Sequence, residues 1–279
     1  MNTVHIQSIS IGEGHPLALI AGPCVIESER LALDTAAAIR TIAERLGMPF
    51  IFKSSYQKDN RSSSKTFQGP GVKKGLAILR KVKAEIGVPV LSDIHDRHDA
   101  KACAEVLDVI QIPAYLCMQT DLAIDVARTG KAVNVKKGQF MDPNDMKHVV
   151  QKIEEEGNRN ILLTERGACF GYHNLVVDMR SLQIMRGFGY PVVFDPTHAI
   201  RVYGISSSDP RGGAPHFVPG LSRAGVAAGI DAIFIETHPD CENALCDAAS
   251  MWPLQHLEAL LRQLKAIDEL VKAQGEIRL

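Results

Sequence analysis

AIFIETH, residues 232–238, runs apolar for four positions and then turns acidic and polar. A short run in which successive positions are apolar, instead of alternate ones, reads as a strand buried on both faces. Seven other stretches follow the same pattern: LALIAG (17–22), PFIFKSS (49–55), PVLSDI (89–94), VIQIPA (109–114), AVNVKK (132–137), ILLTER (161–166) and PVVFDPTH (191–198). Between them lie helix-period segments, among them 28–47, 71–87, 99–107, 142–157 and 253–273, several opened by Ser or Asp and closed by Gly. Strand starts fall about 31 residues apart on average, which suits eight right-handed βα units closing as a (β/α)8 TIM barrel. An open doubly wound sheet is the weaker alternative. The alternating start VHIQSISIGEG, within residues 1–14, predicts an N-terminal β-hairpin that plugs the bottom of the barrel. The whole chain, 1–279, is expected to form one domain.

Composition narrows the function classes. Hydrophobic residues make up 46% and charged residues 23% of 279, an ordinary globular balance that excludes a disordered or collagen-like chain. The 31 Lys plus Arg nearly cancel the 32 Asp plus Glu, so no basic field exists to hold nucleic acid or an anionic membrane. No apolar run is long enough for a membrane span, and MNTVHIQSIS lacks the basic and apolar regions of a signal peptide, so a cytoplasmic location is expected. Six cysteines spread over this length read as thiols.

Each strand turns polar at its C-terminal end: Cys24, Lys53 and Ser55, Asp93, Gln111, Lys136, Arg166, Asp195 and His198, Glu236. In a (β/α)8 barrel these ends converge on the face that carries the active site. Lys53, Lys58, Arg61, Lys136 and Arg166 would then surround one cavity, and so many cations together call for a ligand with several negative charges. Two connections, 54–71 and 199–219, exceed plain βα loops and read as clamps or lids over that ligand. Cys24, His198, Glu236 and Asp247 form a second set that a divalent ion such as Zn, Fe, Co or Mn could accept. Taken alone, this second set is weak, because an isolated Cys or His is usually just packed.

At AGPCVIES (21–28), KDNRSS (58–63), NVKKGQF (134–140), TERGACFGYHNLVVDMRSL (164–182), FDPTHAI (194–200) and IETHPD (235–240) the chain closely resembles the 3-deoxy-D-manno-octulosonate 8-phosphate synthases, also called 2-dehydro-3-deoxyphosphooctonate aldolases. The similarity runs almost end to end. KDNRSS stands where the related heptulosonate synthases carry a KPRTS-like motif, which argues against that activity. The resemblance implies a transferase that joins phosphoenolpyruvate to arabinose 5-phosphate with release of phosphate, for the sugar of lipopolysaccharide, and a homotetramer with loops shared across subunits. By motif, Lys53, Ser55, Lys58, Gln111, Lys136 and Arg166 would hold phosphoenolpyruvate. Asn60, Arg61 and Ser62 would meet the aldose phosphate, with Ala114 and Tyr115 of the PAYL segment also in substrate binding. Lys58, Asn60, Asp93, His95 and Lys136 are the catalytic candidates, the Asp93–His95 pair for proton transfer. His173 reads as a residue outside the immediate site. Cysteine in the Gly-Pro-Cys segment implies the metal-dependent class, with one divalent ion (Zn, Fe, Co, Mn or Cd) held by Cys24, His198, Glu236 and Asp247.

Three positions depart from the family pattern. Asp59 places a carboxylate beside the aldose-binding residues, Met118 stands where an arginine is usual, and the GGxR element becomes Gly212, Gly213, Ala214 and Pro215. Compensation by Arg201, Arg211 or His216 keeps arabinose 5-phosphate as the acceptor. A paralogue using another aldose is the competing reading, and a non-catalytic binding barrel a more distant third.

Overall fold

The computed structural model describes residues 1–61, 63, 65–169, 174–206 and 209–275; Ser62 and His173 lie outside them. Two short strands, β1 (Val4–Ile6) and β2 (Ile9–Ile11), form the expected antiparallel hairpin. Eight parallel strands follow: β3 (Ala18–Gly22), β4 (Phe50–Lys53), β5 (Val90–Asp93), β6 (Val109–Ile112), β7 (Ala132–Lys136), β8 (Ile161–Glu165), β9 (Val192–Phe194) and β10 (Ala232–His238). They pair in chain order, and β10 pairs with both β9 and β3, which closes the barrel.

Apolar side chains are split by the pleat. One set, including Leu19, Phe50, Phe52, Val133, Leu163 and Ile235, joins the helices in the main core. The alternate set, including Ile20, Ile51, Leu91, Leu162, Val193 and Phe234, joins Val4, Ile6, Ile9 and Ile11 of the hairpin in a second core. The hairpin is therefore a stopper for the barrel interior, since removing it would strip the inward-facing apolar residues of their cover. Above this apolar layer the interior becomes polar but remains paired. Thr164 Oγ1 donates to Asn134 Oδ1 at 2.6 Å, and Asn134 Nδ2 donates to Gln111 Oε1 at 2.9 Å.

The first long helix, Glu29–Leu46, shows how local sequence sets element bounds. Ser28 caps it by accepting from the Leu31 amide at 3.1 Å, and Gly47 ends it in the left-handed region at φ 61°. Ser28→Ala should lower the denaturant midpoint by about 1 kcal/mol of stability, whereas Arg30→Ala, which removes only an exposed pair with Asp34, should shift it by less than about 0.5 kcal/mol.

Most strands end one or two residues before the sequence reading placed them. The largest difference is at 191–198, read as strand throughout. Strand β9 stops at Phe194, and Pro196–Ala199 forms one helical turn. Asp195 caps this turn by accepting from the His198 amide at 2.9 Å, and Pro196 occupies its first turn, where the missing N–H costs nothing. This turn places His198 over the barrel mouth.

Candidate active site

The strand ends and the loops after them enclose a cavity of about 300 Å³, with Lys53, Lys58, Gln111, Lys136 and Arg166 in its wall. Asp59, Asn60, Asp93, His95, Ala114, Tyr115 and His198 complete most of the lining. Ser55 and Arg61 stand behind this surface instead of on it. Ser55 lies past the end of β4 in an isolated bridge with Val25, and its hydroxyl donates to Asp93 Oδ1. Arg61 Nε donates to the Phe67 carbonyl at 3.2 Å, and its guanidinium lies against Cys246.

Closure of the barrel gives each of the three lysines of the cluster a carboxylate partner. Lys53 Nζ, fully buried, donates to Glu236 Oε1 at 2.6 Å and to the Cys24 carbonyl at 3.1 Å. Burial opposes charge on Glu236, but Lys53 outweighs it and holds the carboxyl well below its ordinary range. Lys58 Nζ is 3.6 Å from Asp93 Oδ2, and despite its burial this neighbour holds the ammonium in its charged form. Lys136 Nζ donates to Asp195 Oδ2 at 2.6 Å and sits 4.2 Å from the centre of the Phe234 ring. Burial still pulls the Lys136 pKa below its ordinary value. Arg166 is different: it is buried over the Tyr203 ring, and among the described residues its Nη1 has no hydrogen-bond partner. A buried guanidinium nitrogen left unsatisfied costs free energy until an acceptor arrives.

His95 bridges the cavity wall to the 54–71 loop. Its Nε2 lies 2.9 Å from the Gln57 carbonyl and 3.3 Å from Asp93 Oδ2, and its Nδ1 lies 3.6 Å from Asp59 Oδ2. Burial works against a charged imidazole here, but Asp93 and Asp59 together raise its pKa. The departure at Asp59 is thus part of the site wall and is coupled to a catalytic candidate.

The second predicted cluster also assembles, in a modified form. Ligand atoms of His198, Glu236 and Asp247 lie within 4.8 Å of one another, and so do those of Cys24, Cys246 and Asp247. Asp247 belongs to both groups, so the four predicted residues meet through it, with Cys246 as an addition. The carboxylates and the imidazole each have their other polar atom occupied. Glu236 Oε1 takes Lys53, Asp247 Oδ1 takes Arg201, and His198 Nδ1 faces Asp195 Oδ2 at 2.7 Å. That leaves Glu236 Oε2, Asp247 Oδ2 and His198 Nε2 aimed at a common point, with 3.6 Å and 3.8 Å between the imidazole nitrogen and the two oxygens. Burial lowers the His198 pKa and so favours the neutral ring that a metal needs. Two carboxylates and an imidazole, each steadied from behind, together with the buried Cys24 thiol, fit a divalent cation.

Tight backbone packing makes the first part of this site possible. A Cβ on Gly22 would stand 2.0 Å from the Lys53 carbonyl oxygen, so only glycine lets the AGPC turn pass over the end of β4.

The proposed substitutes for the missing arginines go elsewhere. Arg201 is spent on Asp247, exposed Arg211 pairs with Asp209 at 2.7 Å, and His216 packs on Phe217 with ring centres 4.1 Å apart. None of the three lines the cavity.

A profile of the DAHP synthetase I family matches residues 2–273. The chain belongs to that family. Within it, the chain is similar to proteins named 2-dehydro-3-deoxyphosphooctonate aldolase. The protein of that name from Trichlorobacter lovleyi is 57% identical over 267 residues, covering 96% of this chain and 98% of its own. The one from Acidithiobacillus ferrooxidans is 55% identical over 263 residues, 94% and 93% of the two chains. The Geobacter metallireducens protein is 55% identical over 269 residues, 96% and 98%. Membership of the DAHP synthetase I family agrees with the closed barrel and with the resemblance read from the motifs. Sequence reasoning passed over four members of the site: Phe234, Gln139, Cys246 and the pairing role of Asp195. Asp195 alone carried a signal, as the polar end of its strand.

Proposed function

We propose that this DAHP synthetase I family member condenses phosphoenolpyruvate with arabinose 5-phosphate to give 3-deoxy-D-manno-octulosonate 8-phosphate and inorganic phosphate. The observation that carries the reading is Arg166, whose side chain lines a cavity sized for a small anion together with Lys58 and Lys136 and whose Nη1 has no hydrogen-bond partner among the described residues. The relatives' shared name supplies the reaction. In this reading Arg166 and Lys136 take the carboxylate and phosphate of phosphoenolpyruvate, and Gln111, fixed by Asn134, shapes the floor. C3 of the enol attacks C1 of the aldehyde, and the aldehyde oxygen gains a proton. Water adds to C2 and gives up one proton, and the C2–O bond to phosphate then breaks as the C2 hydroxyl passes its remaining proton to the departing phosphate, leaving the keto acid and inorganic phosphate. In this reading His95, whose proton affinity Asp93 and Asp59 raise, holds and passes these protons, while Asp93, kept ionised by Lys58 and His95, orients and charges it. Asn60, at the cavity wall, is assigned to the aldose end.

Cys24, His198, Glu236 and Asp247 are proposed to hold one divalent ion, whose chemistry is to polarise the aldehyde oxygen or acidify water. Zn, Fe, Co, Mn and Cd all suit that donor set. Chelator treatment should abolish phosphate release that depends on arabinose 5-phosphate, and divalent ions should restore it. Cys24→Ala should lose the restoration; full activity of this variant without metal would sink the assignment.

No described helix is long and apolar enough to cross a membrane, in keeping with the cytoplasmic location proposed for this chemistry. The chain is read as one barrel unit that forms a homotetramer, supported by the exposure of Tyr115, Met118, Phe140 and Phe217. A second reading, another aldose as acceptor, is favoured by Asp59 in the cavity wall and by the commitment of Arg201 to Asp247.

A further inference from the structure

We propose that Cys246 is a second thiolate donor in the metal site, so that a bound ion meets two sulfurs, Cys24 and Cys246, beside the imidazole and carboxylates. The inference rests on the metal reading above and extends it to a residue that the four-ligand set leaves out. Cys246 Sγ lies 2.7 Å from Cys24 Sγ, and both thiols are free and buried. Together with Asp247 they form a group whose ligand atoms all fall within 4.8 Å.

The backbone supplies an independent reason. In an extended chain, neighbouring side chains point to opposite faces. Asp247, however, sits at φ 49°, in the left-handed region that a residue with a Cβ seldom adopts. This turn brings the side chains of Cys246 and Asp247 to the same centre. Strain of this kind collects where geometry serves a site. Around the pair, Val25, Ala244 and Met251 form a small buried apolar cluster with the two cysteines. The Arg61 guanidinium beside Cys246 offsets the negative charge that a second thiolate adds.

Two sulfurs soften the site. It should prefer zinc over manganese more strongly than a site with one thiolate, and Cys246→Ser should weaken zinc binding by at least about tenfold. The test is to load the metal-free protein anaerobically with Co(II) and, separately, with Zn(II). Co(II) is read by its thiolate-to-metal charge-transfer absorption, and zinc by X-ray absorption, which counts sulfur neighbours at about 2.3 Å. The expected result is two sulfurs around zinc in the wild type, one in Cys246→Ser and one in Cys24→Ser. The Co(II) band should fall by half in either variant. One sulfur in the wild type, with a Co(II) band that Cys246→Ser leaves unchanged and Cys24→Ser removes, overturns the proposal while leaving the metal reading intact. No sulfur and no charge-transfer band in the wild type overturns both. The wild-type sulfur count decides the question even if a variant fails to fold.

Discussion

Arg166→Ala should lower kcat/KM for phosphoenolpyruvate by about a hundred- to a thousandfold, the scale of losing one preorganised donor to developing negative charge. Arg166 is the one cation of the cavity wall whose donor is left unspent among the described residues; Lys53, Lys58 and Lys136 each face a carboxylate. Removing it therefore takes away ligand binding without leaving a protein charge stranded, so the stability of the variant should change far less than its activity. Arg166→Lys should recover only part of the loss, because an ammonium keeps the charge but not the planar fork that grips a phosphate or carboxylate. Steady-state phosphate release across phosphoenolpyruvate concentrations checks both variants. A KM and kcat unchanged in Arg166→Ala would remove the anion site from the account.

Lys53→Met should destabilise the metal-free protein by about 3–5 kcal/mol, because it strands the buried Glu236 carboxylate. Lys53 and Glu236 are 1% and 2% exposed at 2.6 Å separation, so no water replaces the lost partner. The double change Lys53→Met with Glu236→Gln should recover much of the loss, as it removes the stranded charge as well. Lys53 holds the folded-state pKa of Glu236 below its unfolded value. Such a group contributes stability that is present above the unfolded pKa and is lost as pH falls through the folded one. The gap between wild type and Lys53→Met should accordingly be widest near neutral pH, begin to narrow below the unfolded carboxylate value of about 4.3, and close only as pH falls through about 2. Urea midpoints at a series of pH values measure it; equal midpoints at pH 7 would show that the pair does not hold the barrel mouth together.

The barrel was legible because its signal is local and repeated: buried strands turn polar at the end that meets the site, and the helices between them carry their own caps, as Ser28 and Gly47 do. Strand length was read less well where a side chain decides it, as Asp195 and Pro196 do in ending β9. Cation positions were readable as strand ends, but the free positive charge was overestimated. Glu236, Asp93 and Asp195 neutralise three lysines from other strands, a pairing that only barrel closure creates. Cys246 lies in an irregular segment without periodicity, and its place beside Cys24 depends on the left-handed turn at Asp247. Likewise Arg201 looked free to replace a phosphate-binding arginine until the fold set it on Asp247.

Phosphate release from phosphoenolpyruvate by the metal-loaded protein, compared across arabinose 5-phosphate, erythrose 4-phosphate, ribose 5-phosphate and unphosphorylated arabinose, tests the central claim most directly. The account predicts that arabinose 5-phosphate is strongly preferred and that release without an aldose is negligible. Preference for another aldose would contradict it and identify Asp59, Met118 and Pro215 as the marks of a changed acceptor site; no release with any sugar would contradict the synthase reading altogether.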